Sequence, residues 1–265
     1  METITPSGGV LRLDKPETFS NVLIKGAVYI TSAAGGTVLE PSVKIEIPAG
    51  FKAQAGAVQC CASDCRIGCE IDIGGNAMQG VQTIEWDGPV PENTDISNLY
   101  AYNNSQQSDD PDKHHGIYVQ DSIGLKGTNI RFRDIKGGWG IHFYCDQTVL
   151  VCRGARLSQI TCQDNLGDVI FWGPGVEDNR VEKLLSLNPG KWGALHQNTS
   201  GANGGNTLDF VSVETAGYGY QGNGGGTDPD PDVDDPWAAW YASAPKGSLE
   251  EAGQAWVDWF NSAPA

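Results

Sequence analysis

Basic residues are scarce in this sequence: 17 Lys and Arg stand against 33 Asp and Glu, which gives a formal charge of −16 at pH 7. A chain of that charge repels nucleic acid and anionic membrane surfaces, so neither is expected as a partner. Long apolar runs are also missing, and no stretch is apolar enough to span a bilayer. The first residues, METITPSGG, lack the basic start and apolar stretch of a signal peptide. At 265 residues, one domain with a small appendage is expected.

The central part of the chain consists of near-repeats. Aligned, they read HHGIYVQD (114–121), GWGIHFYC (138–145), LGDVIFWG (166–173), KWGALHQN (191–198) and GYGYQGNG (217–224). Each of the first four is followed by a second apolar segment, such as NIRFRDI (129–135). The steps between equivalent positions are 24, 28, 25 and 26 residues, counted over Gly116, Gly140, Asp168, Gly193 and Gly219. Short strands with glycine-rich corners at such a period predict a solenoid.

The boundaries of the solenoid follow from where this pattern starts and stops. Residues 83–222 are predicted to be solenoid, and residues 1–82 to be either narrow first rungs or a separate β layer, because they too alternate with period two. Residues 223–236 have the glycine, proline and aspartate composition of a linker. Residues 237–265 predict an aromatic helical tail. Its expected role is a cap on the open end of the solenoid, and the alternative is a docking peptide.

Seven cysteines are present, and four of them lie in CCASDCRIGC (60–69). In a secreted acidic chain, Cys60, Cys61, Cys65 and Cys69 favour local disulfides or buried free thiols. A metal site is the alternative, but the spacing fits neither a zinc ribbon nor a ferredoxin. The other three cysteines are interpreted as small core residues of the repeats: Cys145, Cys152 and Cys162.

The phrases HHGIYV, NIRFRDI and GGWGIHFY resemble the rung repeats of right-handed parallel β-helix proteins of the pectate-lyase-like superfamily. The resemblance covers residues 83–222 well and residues 9–82 loosely. It implies an all-β, right-handed parallel β-helix that acts on or binds carbohydrate, and therefore an extracellular or cell-surface location.

Signatures of individual enzymes of that superfamily are missing. The polygalacturonase pattern requires an Asn-Thr-Asp, a later Asp-Asp in a rung and a Gly-His-Gly. Only the first of these occurs here, as Asn93-Thr94-Asp95. The Asp-Pro-His-Glu of alginate epimerases and the Arg-x-Pro-x-x-Arg of pectate lyases are both absent. The resemblance therefore implies a substrate class without supplying a catalytic set.

Alternation within the rungs predicts which side chains face outward. With Ile117, Ile141 and Val169 inside, an aromatic strip lies outside, made of Tyr118, His142, Tyr144 and Trp172. Flat aromatic rings cover the C–H faces of sugars, so the strip predicts a polysaccharide partner, unless a loop at 104–113 or the tail covers it. The predicted substrate-binding residues are Tyr118, Trp172, Lys113, Arg133 and Gln197.

The strip also suggests a reaction. His142 is the expected base and Tyr144 the expected acid of a β-elimination on a uronate, with His115 from the next rung and Arg131 to neutralise the carboxylate. Hydrolysis is less favoured, because aspartates such as Asp164 and Asp168 are expected to cap turns. No cofactor is predicted with certainty; Ca²⁺ is considered because it offsets the acidic field. The alternative is a non-catalytic glycan-binding, adhesion or structural β-helix.

Overall fold

The chain forms an all-β parallel β-solenoid, which confirms the predicted fold class. The computed structural model describes residues 1–49, 51, 53–74, 77–104, 114–145, 151–188, 194–196, 205–213 and 221–222. The strands pair in parallel wherever successive coils meet. The predicted linker at 223–236 and helical tail at 237–265 lie outside the described residues.

Two nine-stranded sheets form the long sides of the solenoid. The first sheet contains, in spatial order, β1 (Glu2–Ile4), β4 (Val22–Lys25), β7 (Lys44–Glu46), β10 (Glu70–Asp72), β12 (Tyr100–Asn104), β15 (Lys126–Ile135), β18 (Arg156–Gln163), β21 (Arg180–Leu187) and β23 (Thr207–Val213). The second sheet contains β2 (Val10–Leu13), β5 (Ala27–Ile30), β8 (Ala53–Cys60), β11 (Ala77–Thr83), β13 (His115–Val119), β16 (Trp139–Tyr144), β19 (Gly167–Trp172), β22 (Ala194–His196) and β24 (Gln221–Gly222).

Short strands form two further three-stranded sheets. One contains β3 (Thr18–Phe19), β6 (Val38–Leu39) and β9 (Arg66–Ile67), and the other contains β14 (Ser122–Ile123), β17 (Cys152–Arg153) and β20 (Val176–Glu177). The helical segments among the described residues are two 3₁₀ turns, Ser7–Gly9 and Ser32–Ala34. The strands before residue 83 pair in sequence with the later ones, so residues 1–82 are the first rungs of the same solenoid.

The interior is built from residues in register. Ile117 pairs with Ile141, and Ile141 with Val169; all three are fully buried. The Phe143 and Phe171 rings stack at 4.9 Å between centroids. Each rung therefore buries its apolar face against the next one, since identical positions in parallel strands lie one above the other. The predicted inside and outside of these strands are correct.

Glycine precedes the inward apolar residue in several strands of the second sheet, because the interior has no room there for a side chain. A Cβ on Gly116 would lie 2.3 Å from the Phe132 ring and 2.6 Å from the carbonyl oxygen of Gly140. The second contact involves backbone, which cannot move aside as a side chain does. The glycine repeat thus allows the large Phe132 ring to reach across from the first sheet.

Replacing Gly116 by alanine is expected to lower the free energy of unfolding by about 1 to 3 kcal/mol through overpacking. Urea denaturation measures the change. Gly35→Ala is the control, because its Cβ would meet only the Ser63 carbonyl oxygen, at 3.2 Å. Equal denaturation midpoints for the two variants would contradict the packing described here.

All seven cysteines are free and buried, so the structure has the buried thiols and not the disulfides that the sequence also predicted. Six of them belong to the hydrophobic core: Cys60, Cys65, Cys69, Cys145, Cys152 and Cys162. Burial raises the pKa of Cys69 to about 12 and those of Cys152 and Cys162 well above their ordinary value. A neutral thiol in such surroundings behaves as a small apolar side chain.

Candidate functional site

The outer face of the second sheet carries a continuous row of polar and aromatic side chains. Tyr29 pairs with Gln59, Gln59 with Gln82, Gln82 with Tyr118, and Tyr118 with His142. Adjacent parallel strands lie ~4.8 Å apart, so these five positions span roughly 19 Å. The row runs across the rungs, along the axis of the solenoid.

The strands that carry this row are free of charged residues. β5, β8, β11, β13 and β16 contain no Asp, Glu, Lys or Arg, although the chain has 50 such residues (17 basic and 33 acidic). The strands of the first sheet differ sharply: β15 alone contains two arginines, a lysine and an aspartate. Charge enters the row at its N-terminal end, where Arg12 of β2 pairs with Tyr29 and lies 5.0 Å from its ring centroid, and where the Tyr29 hydroxyl donates to Asp87 at 2.9 Å.

The aromatic strip lies at one end of the row. The Tyr118 and Tyr144 rings are 5.8 Å apart at an interplanar angle of 31°, and both side chains are partly exposed. Trp172 pairs in register with Tyr144 and packs against a small cluster formed by Trp139 and Ile170. This cluster is separate from the solenoid core, which shows that the strip faces away from the interior.

His142 lies deeper than its neighbours in the strip. Its side chain faces outward, as predicted, but it is only 6% exposed. Its ring lies 5.2 Å from the Tyr118 ring and 5.5 Å from the Tyr144 ring, edge-on to both. Burial lowers the pKa of His142 to about 3, because the charged imidazolium would lose its hydration. The expectation of a near-neutral pKa at this position is therefore wrong.

A chain of hydrogen bonds fixes the proton positions of His142 and of its neighbour His115. The backbone N–H of Trp139 donates to His115 Nδ1 at 3.2 Å, so that nitrogen carries no proton. The proton of neutral His115 is then on Nε2, which lies 3.0 Å from His142 Nδ1. Because His142 Nδ1 accepts this bond, neutral His142 carries its own proton on Nε2.

This arrangement leaves neither ring nitrogen of His142 with a free lone pair. A general base needs one, together with a pKa close to the working pH. Neither condition holds for His142, whereas the N–H group suits a hydrogen-bond donor. The geometry thus favours recognition over proton abstraction at this position.

Arg131 and Arg133 do not lie near the aromatic strip. Both project from the first sheet on either side of Phe132, whose ring is fully buried in the core. Adjacent residues of a strand face opposite sides, so the solenoid interior separates the two arginines from His142. Arg133 instead lies over Tyr100 and Tyr102, with 5.8 and 5.6 Å between its guanidinium carbon and the ring centroids. The prediction that these arginines join His142 and Tyr144 in one site is wrong.

Two predicted substrate-binding residues, Lys113 and Gln197, lie outside the described residues, as does the loop at 105–113. Within the described ranges, no group of three or more His, Cys, Asp or Glu side chains is arranged to hold a metal ion. The calcium expectation therefore gains no support from the described residues.

Asp168 is the aspartate whose position differs most from expectation. It occupies the inward position equivalent to Gly140 and is 1% exposed. Burial raises its pKa to about 7, against the opposing effect of the Ser186, Asn165 and Cys162 side chains. Asp164 does lie at a corner, with a φ of +54°, as predicted for a turn residue. Neither aspartate belongs to a pair of carboxylates flanking an open groove, as hydrolysis requires.

Two contributors to the site were missed in the sequence. Trp139 supplies the backbone donor to His115, and Gln82 Nε2 donates to Gln120 Oε1 at 3.2 Å between neighbouring rungs. The repeat alignment already places Trp139 at the position equivalent to His115, but it gives no sign of a hydrogen bond between the backbone of one and the ring of the other. The outward glutamines are recognisable by the same register, at the position equivalent to Tyr118.

A scan against protein-family models finds no match, and searches of curated proteins and of solved structures find none either. The resemblance to the pectate-lyase-like superfamily therefore extends no further than the solenoid architecture and the rung phrases. No helix in the part of the chain that the structure describes is long and apolar enough to cross a membrane.

Proposed function

We propose that this protein is a non-catalytic glycan-binding β-solenoid that holds an extended saccharide on the outer face of its second sheet. The observation that carries the proposal is the uncharged row of tyrosine, glutamine and histidine side chains in register along the solenoid axis. With such a ligand, the location we propose is extracellular or at the cell surface.

The chemistry of the row suits a saccharide chain. Partly exposed tyrosine rings offer apolar faces to the C–H groups of pyranose rings, while phenol and amide groups exchange hydrogen bonds with hydroxyl groups. Gln59 and Gln82 lie between the rings of Tyr29 and Tyr118, so stacking and hydrogen-bonding positions follow one another. A row of roughly 19 Å fits a chain of several sugars better than a single one.

Polysaccharide cleavage by β-elimination has less support. The predicted base has no free lone pair, its pKa is low, and the arginines expected to neutralise a uronate lie on the other sheet. Lyase activity thus remains a prediction that a direct assay must decide.

A glycan array probed with the purified protein tests the proposal. Binding to oligosaccharides is expected, together with no unsaturated product when uronate polysaccharides are incubated with the protein, with or without calcium. The absorbance of the unsaturated sugar reports the reaction. Formation of that product would overturn the non-catalytic assignment, and an array without any bound saccharide would overturn glycan binding.

A further inference from the structure

The proton positions of His115 and His142 leave one buried donor unused. His142 Nε2 is inaccessible to solvent and has no hydrogen-bond acceptor among the residues that the structure describes. A buried N–H without an acceptor costs about 1 to 3 kcal/mol. Such a group is therefore a feature that needs a physical explanation.

We infer that His142 Nε2–H is a fixed donor to an acceptor oxygen of an uncharged glycan, and that His115 is the residue that positions it. The inference rests on the proposed function and adds the class of sugar and the group that reads it. His115 acts through its Nε2–H, which fills His142 Nδ1 and so keeps the proton of His142 on the opposite nitrogen.

The surroundings of His142 favour an uncharged sugar over a uronate. The rings that contact the imidazole belong to His115, Tyr118 and Tyr144, and the next residue in its row is Ile170. None of these groups supplies a positive charge to a carboxylate: His115 is neutral in this hydrogen-bond arrangement, and the arginines of β15 lie beyond the core. A carboxylate moved into such a place would lose hydration without a compensating cation.

In the proposed arrangement, the ligand approaches the donor past the two tyrosines. Tyr118 and Tyr144 contact the imidazole edge-on and are themselves partly exposed. A sugar stacked on either ring would lie next to His142, and the proposed hydrogen bond requires a side-chain rearrangement on binding, because Nε2 is inaccessible in the unbound protein. The tyrosine ring then stacks on the same sugar that accepts the hydrogen bond from His142 Nε2–H. The affinity therefore depends on where that sugar carries its acceptor oxygen.

The proton positions can be measured without ligand by long-range ¹⁵N–¹H correlation spectroscopy. His142 is expected to be protonated on Nε2 and not on Nδ1, and to keep this form between about pH 5 and pH 8. His115→Phe is expected to abolish the preference for that form. A His142 protonated on Nδ1, or one that titrates in this range, would overturn the inference whatever the protein binds.

Binding of cellohexaose, an uncharged hexasaccharide, and of hexagalacturonate then tests the class of sugar. The wild type is expected to prefer the uncharged chain. His142→Phe is expected to weaken that binding about tenfold, and His142→Gln, which keeps an N–H donor, to restore part of it. Equal binding by wild type and His142→Phe, or a preference for the uronate, would overturn the inference but not glycan binding.

If neither hexasaccharide binds, an uncharged array member that does bind takes the place of cellohexaose. An array without any bound saccharide overturns the proposed function itself.

Discussion

The Asp168→Asn variant is expected to be more stable than the wild type at pH 8, by as much as about 4 kcal/mol, and to lose this advantage at acid pH. Asp168 is buried in the solenoid interior, and its pKa is raised from 3.8 to about 7. Between these two pKa values the folded state holds a proton that the unfolded state has released, and at pH 8 the folded wild type carries a buried negative charge. Asparagine matches the shape of the protonated carboxyl and never ionises.

The direction of the pH dependence follows from the raised pKa. The contribution of Asp168 to stability is complete below the unfolded pKa of about 4, and it is lost as the pH rises through the folded pKa of about 7. Urea denaturation at a series of pH values measures the difference between the two proteins. Asp164→Asn is the matched control, because it removes the same charge from a partly buried corner four residues away. Parallel curves for wild type and Asp168→Asn would contradict a buried, protonated carboxyl.

The second large effect is expected from Asn179→Ala, which should destabilise the protein by about 3 to 5 kcal/mol. Asn179 is fully buried at a corner. Its Oδ1 accepts from the Ala155 backbone at 3.0 Å, and its Nδ2 donates to the Cys152 carbonyl at 2.8 Å and to Asn206 Oδ1 at 2.9 Å. Removing the amide leaves buried backbone groups of the neighbouring rung without partners.

Thr128→Ala is the control for this variant, since it removes only exposed side-chain hydrogen bonds: Thr128 Oγ1 donates to Gln159 Oε1 at 2.7 Å and accepts from Ser158 Oγ at 3.3 Å. Water replaces such exposed bonds, so a change below about 0.5 kcal/mol is expected. Thermal unfolding followed by circular dichroism compares the two variants. Similar unfolding temperatures would show that the buried asparagine does not hold the corner together.

The rungs were predictable because period and alternation are local properties of the sequence. Aligning Ile117, Ile141 and Val169 gave the correct inside and outside of three successive strands, and the structure pairs these residues in that order. Tyr118, Tyr144 and Trp172 accordingly lie on one outer face.

The grouping of site residues across the sheets was not predictable in the same way. Arg131 is close in sequence to His142, and the sequence placed the two in one site. The corner between β15 and β16 turns the chain onto another side of the solenoid, so outward side chains of the two strands diverge. Distance along the sequence does not show this separation, which becomes visible only when β15 and β16 are assigned to different sheets.

The proton positions depend on geometry alone. The residue types of His115 and His142 suggested acid–base chemistry, because an exposed histidine titrates near neutral pH. A backbone donor at Trp139 and the burial of His142 reverse that expectation. Neither effect is encoded in a residue pattern, since both require the distance between two rungs.

The most direct test of the account compares two tyrosines on opposite sides of the solenoid. Affinity for an uncharged oligosaccharide that the protein binds is measured by calorimetry for wild type, Tyr118→Ala and Tyr102→Ala. Tyr102 is also partly exposed and stacks on Tyr100 at 4.8 Å, but it belongs to the first sheet. Tyr118→Ala is predicted to weaken binding about tenfold or more, and Tyr102→Ala to leave it unchanged. The reverse result, or equal losses in both variants, would contradict a glycan site on the second sheet.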